Sequence, residues 1–142
     1  MPTRFIALPA HALILVEGRG EVSFEELARL QDDVSAHPAF TPEVRVLIDG
    51  RGGNPRQLSG GMIRTLVERS RIGARRRAVV VDEGFAYGVG RIFAAFAELR
   101  GHATAVFTTR EEACAWLGVD PAALPAPWSA ARGPSDAGVE GR

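Results

Sequence analysis

The sequence predicts one α/β domain on a mixed, mostly parallel sheet, with about five strands and about four helices in the order ββαβαβαβα. Three observations predict it. Short apolar, β-branched runs alternate with longer segments of helical period. The helical segments carry their own start and stop residues. The chain has 142 residues, 46% of them hydrophobic, which suits one core. The domain is expected over residues 1–118. Residues 119–142, with several Pro and Gly and little periodicity, are expected as a flexible tail in which Trp128 is the one candidate for docking.

The elements follow in order. Arg4–Leu8 and Ala12–Glu17 are apolar runs split by Pro9-Ala10-His11, which predicts an antiparallel opening pair. Ser23-x-x-Glu26 is a capping box, with Val22 and Leu27 at the staple positions and Leu27, Leu30, Gln31 and Val34 on one face. His37-Pro38 ends that helix. Val44–Asp49 reads as a central strand whose end meets the Gly-rich loop 50–57. Ser59 is the N-cap of a helix expected to turn Met62, Ile63, Leu66 and Val67 inward. The arginines at its end and beyond, through Arg75-Arg76-Arg77, read as a solvated charged face. Ala78–Val81 is a second buried strand. Gly84 opens a helix whose apolar face is expected to be Phe85, Val89, Ile92, Phe93, Phe96 and Leu99. Gly88 and Gly90 in that helix predict close backbone approach, and Gly101 its C-terminal stop. Ala103–Phe107 is the last strand. Thr109-x-x-Glu112 caps a short helix with Ala113, Trp116 and Leu117 on its buried edge, closed by Gly118.

Composition excludes several classes. Net charge is zero, so there is no global basic field for nucleic acid. All 17 basic residues are Arg, and without Lys neither a Schiff base nor a phosphate-loop lysine is available. No apolar run reaches the ~18 residues of a membrane span, and the N-terminal runs lack a signal-peptide cleavage pattern. Cys114 is the single cysteine, so no internal disulfide forms and a cytoplasmic location is expected. His11, His37 and His102 lie in different elements without ligand spacing and are expected at the surface or an edge. No metal and no cofactor is predicted.

In open sheets of this kind, ligands bind beyond the carboxyl ends of the strands. That rim collects Asp49, the 50–57 loop, Ser59, Asp82, Glu83, Thr108 and Thr109. The candidate binding surface is Asp49, Arg51, Asn54, Arg56, Ser59, Gly60 and Gly61, joined by Tyr87 and Arg91 from the following helix. Two helix N-termini converge there, and their free N–H groups attract anions. Arg91 stands near a helix start, where it does not serve the dipole, and is expected to pair with Asp82 or Glu83 or to bind an anion. Strand-end carboxylates more often bond loop N–H groups or Arg than a metal.

Val44–Arg51 (VRVLIDGR), Ala78–Phe93 (AVVVDEGFAYGVGRIF) and Ala105–Gly118 (AVFTTREEACAWLG), in this order and spacing, resemble the STAS group, the sulphate-transporter and anti-sigma-factor-antagonist domains. Within it the chain looks most like the stand-alone bacterial proteins similar to stage II sporulation protein AA. The resemblance covers about residues 4–118. It implies a STAS-like fold without enzymatic activity. It also places Ser59 where the phosphorylated antagonists carry a switch serine in Asp-Ser-Ser-Gly; here that place reads Leu58-Ser59-Gly60-Gly61. Ser59 is thus a phosphorylation candidate as well as a plain helix cap. The wider group includes carriers of small apolar or lipidic ligands, which points to a pocket under the Phe85–Leu99 helix lined by Phe85, Tyr87, Phe93 and Phe96. The helical period alone assigns Phe85, Phe93 and Phe96 to the core. Leu58–Gly61 and Val79–Glu83 also resemble the signature helix and Walker B strand of ABC-transporter ATPases, but the phosphate loop that mechanism needs is absent from the sequence.

The functional expectation is a non-enzymatic, cytoplasmic regulatory or binding module of the STAS-like type. It would act through a protein partner or a small anionic or apolar ligand at the rim, with no nucleic acid and no integral membrane segment. A homodimer fits the same reading. The alternatives are a small-molecule or lipid carrier and, from another class, a hydrolase or phosphotransferase using the rim carboxylates.

Overall fold

The two opening apolar runs fold back on each other as strands β1 (Thr3–Leu8) and β2 (Leu13–Gly18), antiparallel across a 3-10 turn at Pro9–His11. The computed structural model describes residues 3–70 and 76–127. A two-residue strand β3 (Gly20–Glu21) precedes helix α1 (Phe24–Ala36), after which come strand β4 (Arg45–Asp49), the short strand β5 (Gly53–Asn54) and helix α2 (Gly60–Arg69). Strand β6 (Arg76–Val80), helix α3 (Phe85–Leu99), strand β7 (Thr104–Phe107) and helix α4 (Arg110–Leu117) complete the order. The main sheet has five strands, β1-β2-β4-β6-β7, with β1 antiparallel and the rest parallel. This is the predicted mixed, mostly parallel sheet with four helices. The parallel β3–β5 pair is an addition that residues as short and glycine-rich as these do not signal.

Successive side chains of a strand point to opposite faces. Leu13, Leu15, Leu47, Ala78 and Val80 share one face, which α4 closes with Ala113, Cys114 and Leu117. Ile14, Val16 and Val46 share the other face with Val34 of α1. Strands buried on both faces read as unbroken apolar runs, and Leu13–Val16 shows this directly, since all four are buried.

The caps behave as their residue types dictate. The side chains of Ser23, Ser59 and Thr109 accept from the backbone N–H of Glu26, Met62 and Glu112, three residues on. Helix α3 ends with Gly101 N–H on Glu98 O and His102 N–H on Ala97 O, with Gly101 at φ 79°. That is the two-bond Schellman closure, which needs the left-handed conformation glycine adopts freely. Helix α4 closes in the same way through Gly118 and Val119.

Three expectations are corrected. First, α3 is rotated about its axis. Phe85, Ile92 and Leu99 are 56%, 44% and 84% exposed, whereas Ala97 and Gly90 are buried. The helix is apolar almost all round, so periodicity does not select a face. Packing does, because a Cβ at Gly90 would lie 3.1 Å from Val106 Cγ1, and only this small seam lets α3 approach β7. Met62 likewise faces solvent, one position ahead of buried Ile63. Second, His102 is buried rather than at an edge. Third, packing does not stop at Gly118: Val119 is in the core, and Ala123 and Leu124 lie against it. Val119 is the residue whose apolar contact accompanies a Schellman closure. Trp128 and most of the expected tail lie outside the described residues.

Candidate functional site

Helix α2 packs chiefly on α1 and α3 rather than on the strands. The space this leaves is a partly open cavity of about 260 Å³ between the sheet and the three helices. Val46, Ile48 and Val79 form its floor. Leu27, Leu30 and Val34 wall it from α1, Ile63 and Leu66 from α2, and Ala86, Val89 and Phe93 from α3. Gly50, Gly53, Pro55 and Leu58 border it at the rim end. The sequence-based pocket beneath α3 is therefore only one wall of a larger hollow. Of its four expected lining residues, Phe93 takes part. Phe85 points to solvent, and Tyr87 borders a separate rim cleft with Glu83, Thr108 and Glu112.

At the opposite end the wall turns polar through Gln31, Ser70 and Arg77. Gln31 Nε2 donates to Leu66 O at 2.7 Å and to Ser70 Oγ at 3.3 Å. Arg77 Nη1 donates to Ser70 Oγ at 3.4 Å and lies 2.9 Å from His102 Nδ1. A guanidinium only donates, so Nδ1 is the acceptor and the ring hydrogen sits on Nε2. Burial, then the positive charges of Arg77 and Arg100, push the His102 pKa below its ordinary value, so the ring is neutral. Burial also lowers the pKa of Arg77. The reading of Arg75–Arg77 as a solvated face is thus corrected for Arg77, which is 6% exposed, while Arg76 lies over the Trp116 ring at 4.9 Å.

The rim is organised by a buried ionic chain that sequence reasoning missed except for Asp49 and Arg51. Arg4 Nε binds Glu17 Oε1 at 2.7 Å; Arg110 Nη2 binds Glu17 Oε2 at 2.7 Å and its Nε binds Asp49 Oδ2 at 2.7 Å. Arg51 adds a second guanidinium to Asp49, at 2.7 and 3.0 Å. Burial alone would raise the Asp49 carboxyl, but the hydrogen bonds from Arg51 and Arg110 outweigh it and hold the pKa below its ordinary value. A signal for the missed partners was present: Glu17 is in phase with inward Leu13 and Leu15, and Arg4 with Ile6 and Leu8. A charge in phase with buried positions needs an opposite charge nearby.

The other predicted residues are spread along the same rim. Asn54 donates to Glu21 Oε1 at 3.3 Å and accepts from Arg56 N–H at 3.2 Å, which stitches the loop to β3. Arg56 lies over the exposed Phe85 ring at 5.5 Å. Ser59, Gly60 and Gly61 are exposed at the start of α2. Arg91 lies 6.0 Å above the Tyr87 ring; no pairing with Asp82 or Glu83 is formed among the described residues. Asp82 accepts from Gly52 N–H at 2.8 Å. Asp49, Asp82 and Ser59 therefore do not converge on one polar cleft: each has a separate structural bond.

No family model and no curated protein matches the chain. Among solved structures, it is similar to an uncharacterised protein of the DUF3478 family with a SpoIIAA-like fold from Shewanella loihica PV-4. The two share 18% sequence identity over 74% of this chain and 83% of that one, with a TM-score of 0.48.

Proposed function

We propose that the protein is a non-enzymatic, cytoplasmic binding module whose ligand is a small, largely apolar molecule held between the sheet and α1, α2 and α3. The observation that carries this reading is the cavity of about 260 Å³ with aliphatic walls. A dry cavity of ~150 Å³ lined by Leu, Ile and Phe already binds benzene, so this space suffices for a small ligand. Native mass spectrometry of freshly purified protein tests for a co-purifying molecule. Displacement of an environment-sensitive apolar dye tests the site itself. Ala86→Phe, which fills the cavity, is expected to weaken dye binding at least ~10-fold, a difference of about 1.4 kcal/mol. Unchanged dye affinity in a folded Ala86→Phe protein would remove the cavity from the account.

A second reading, regulation through a protein partner, is favoured by the exposed Phe85, Ile92 and Leu99 at i, i+7 and i+14 on α3. Arg56, whose guanidinium lies 5.5 Å over the Phe85 ring, links this stripe to the loop before α2, and in this reading Asn54, Ser59, Gly60 and Gly61 extend the same surface. Light scattering of the wild type and of Leu99→Asp distinguishes a homodimer through this stripe from a monomer.

A further inference from the structure

We infer that helix α3 packs against α3 of a second copy of this chain, antiparallel about a two-fold axis between Phe93 and Ala94. In that pairing Leu99 covers the partner's Gly88, Ile92 covers the partner's Ala95, and Arg91 meets the partner's Glu98. The inference rests on the second reading proposed above, that the α3 stripe receives a protein partner, and adds the identity of the partner and its register.

Gly90 and Ala97 are the buried residues of α3. The opposite side carries Phe85, Gly88, Ile92, Ala95 and Leu99, all exposed. Their steps along the chain are 3, 4, 3 and 4 residues, which is the a/d seam of a heptad, and Gly90 and Ala97 fall at f, the position farthest from that seam. The seam holds no charge. Its large residues stand at a and its small ones at d. Gly88 serves nothing within the protomer: a Cβ there meets nothing within 4 Å among the described residues, and its φ is not positive. Glycine inside a helix is unfavourable relative to alanine, and close approach of another helix is the usual reason to keep one. Gly90 has that reason inside the protomer, against Val106. For Gly88 the approaching surface lies outside it.

Size and charge together select the register. In a two-fold pair, residue i meets j and j meets i. Seating Leu99 on the partner's Gly88 and Ile92 on the partner's Ala95 sets every large seam residue of the overlap against a small one. The same register sets the flanking Arg91 against the partner's Glu98, once on each side of the axis, and Val89 against the partner's Phe96. Shifting one heptad either way breaks the charge match: Ile92 on the partner's Gly88 brings Arg91 against Arg91, and Leu99 on the partner's Ala95 brings Glu98 against Glu98. A parallel pair stacks Gly88 on Gly88 and Ala95 on Ala95, and sets Arg91 against Phe96. Both charges are accessible. Arg91 is exposed, lies over the Tyr87 ring and has no ion pair among the described residues. Glu98 is exposed and accepts from Thr104 N–H through Oε2 at 2.9 Å, which leaves Oε1 for the partner's guanidinium.

The test is sedimentation equilibrium of the full-length protein from about 1 to 300 µM, a range that spans the weak affinity of an interface this small. The wild type is expected to pass from monomer to dimer. Gly88→Gln adds bulk where the protomer has open space; it should weaken the dimer ~10-fold or more while leaving the melting temperature of dilute protein unchanged or raised. Arg91→Glu and Glu98→Arg should each weaken it roughly 5-fold, because two facing pairs become repulsive. An equimolar mixture of the two variants should dimerise as tightly as the wild type, since each Glu then faces an Arg. A monomer throughout the range overturns the self-pairing and leaves the stripe to a different protein. A dimer that Ile92→Asp dissociates but Gly88→Gln and the charge variants leave intact overturns the register and keeps the stripe as the interface. So does a mixture no tighter than its components. A dimer that survives in folded Ile92→Asp overturns both readings. If Glu98→Arg does not fold, having lost the acceptor of Thr104 N–H, Gly88→Gln and Arg91→Glu decide.

Discussion

Glu17 and Asp49 stand side by side at the carboxyl ends of adjacent parallel strands, and one guanidinium, that of Arg110, binds both at 2.7 Å. Arg110 is the first residue of α4, and its remaining donor Nη1 reaches Pro125 O at 3.1 Å. One side chain therefore ties two strands, the last helix and the segment after it. Removing it leaves two buried carboxylates with fewer cations. Arg110→Leu is expected to lower the unfolding free energy by about 3–5 kcal/mol, measured by urea titration. Arg110→Lys should recover little of this, because an ammonium lacks the planar fork that spans both acids. A loss under ~1 kcal/mol for Arg110→Leu, typical of an exposed pair, would contradict the network's role.

Asp49 and His102 act on stability in different pH windows. The folded Asp49 pKa lies below its ordinary value, so its contribution is complete above pH ~4 and is lost as pH falls through the folded value. Asp49→Asn should flatten the acid limb below pH ~4 while lowering stability at neutral pH. The folded His102 pKa is also depressed, so the unfolded chain takes up the proton first. Its contribution is complete above pH ~6.5 and declines as pH drops from there toward the folded value. His102→Gln should therefore reduce the slope of melting temperature against pH between about 7 and 5. An identical slope in the variant would show that other groups set it.

Ser59 closes the start of α2 by accepting from Met62 N–H at 3.1 Å. Ser59→Ala is expected to cost about 1 kcal/mol, and Ser59→Asp, also a good cap, within ~0.5 kcal/mol of wild type. Equal losses in both would mean the hydroxyl does more than cap. Phosphorylation at Ser59 is tested separately, by mass spectrometry of protein isolated from its own cells.

The position of a safe truncation follows from Val119 and Pro125. A chain ending at Gly118 loses a buried valine and the Pro125 carbonyl on Arg110, and should fall by about 2–4 kcal/mol. A chain ending at Pro127 keeps both and is expected to melt within ~4 °C of the full chain. A larger fall for the longer fragment would show that residues 128–142 stabilise the body.

What the sequence determined by itself is local. The caps at Ser23, Ser59 and Thr109 bond a residue three positions away, and the stops at Gly101 and Gly118 act within one turn, so both are written in adjacent letters. The strand runs and their mostly parallel order follow from unbroken apolar segments alternating with helices. The candidate rim was legible in part, since Asp49 and Arg51 are two residues apart. The tertiary structure decided what depends on long-range placement. Arg110 meets Glu17 across 93 positions, a pairing no local pattern encodes. Helix α3 carries apolar residues on every side, and the close approach of Gly90 to Val106, rather than its period, chose the buried face. Arg77 reads as one member of an arginine run until β6 alternation turns it to the cavity face, with Val79, and its neighbour Arg76 to the α4 face, over Trp116. The cavity follows from α2 resting on its neighbouring helices and standing off the sheet, because space between elements is set by how their side chains pack and not by any one segment.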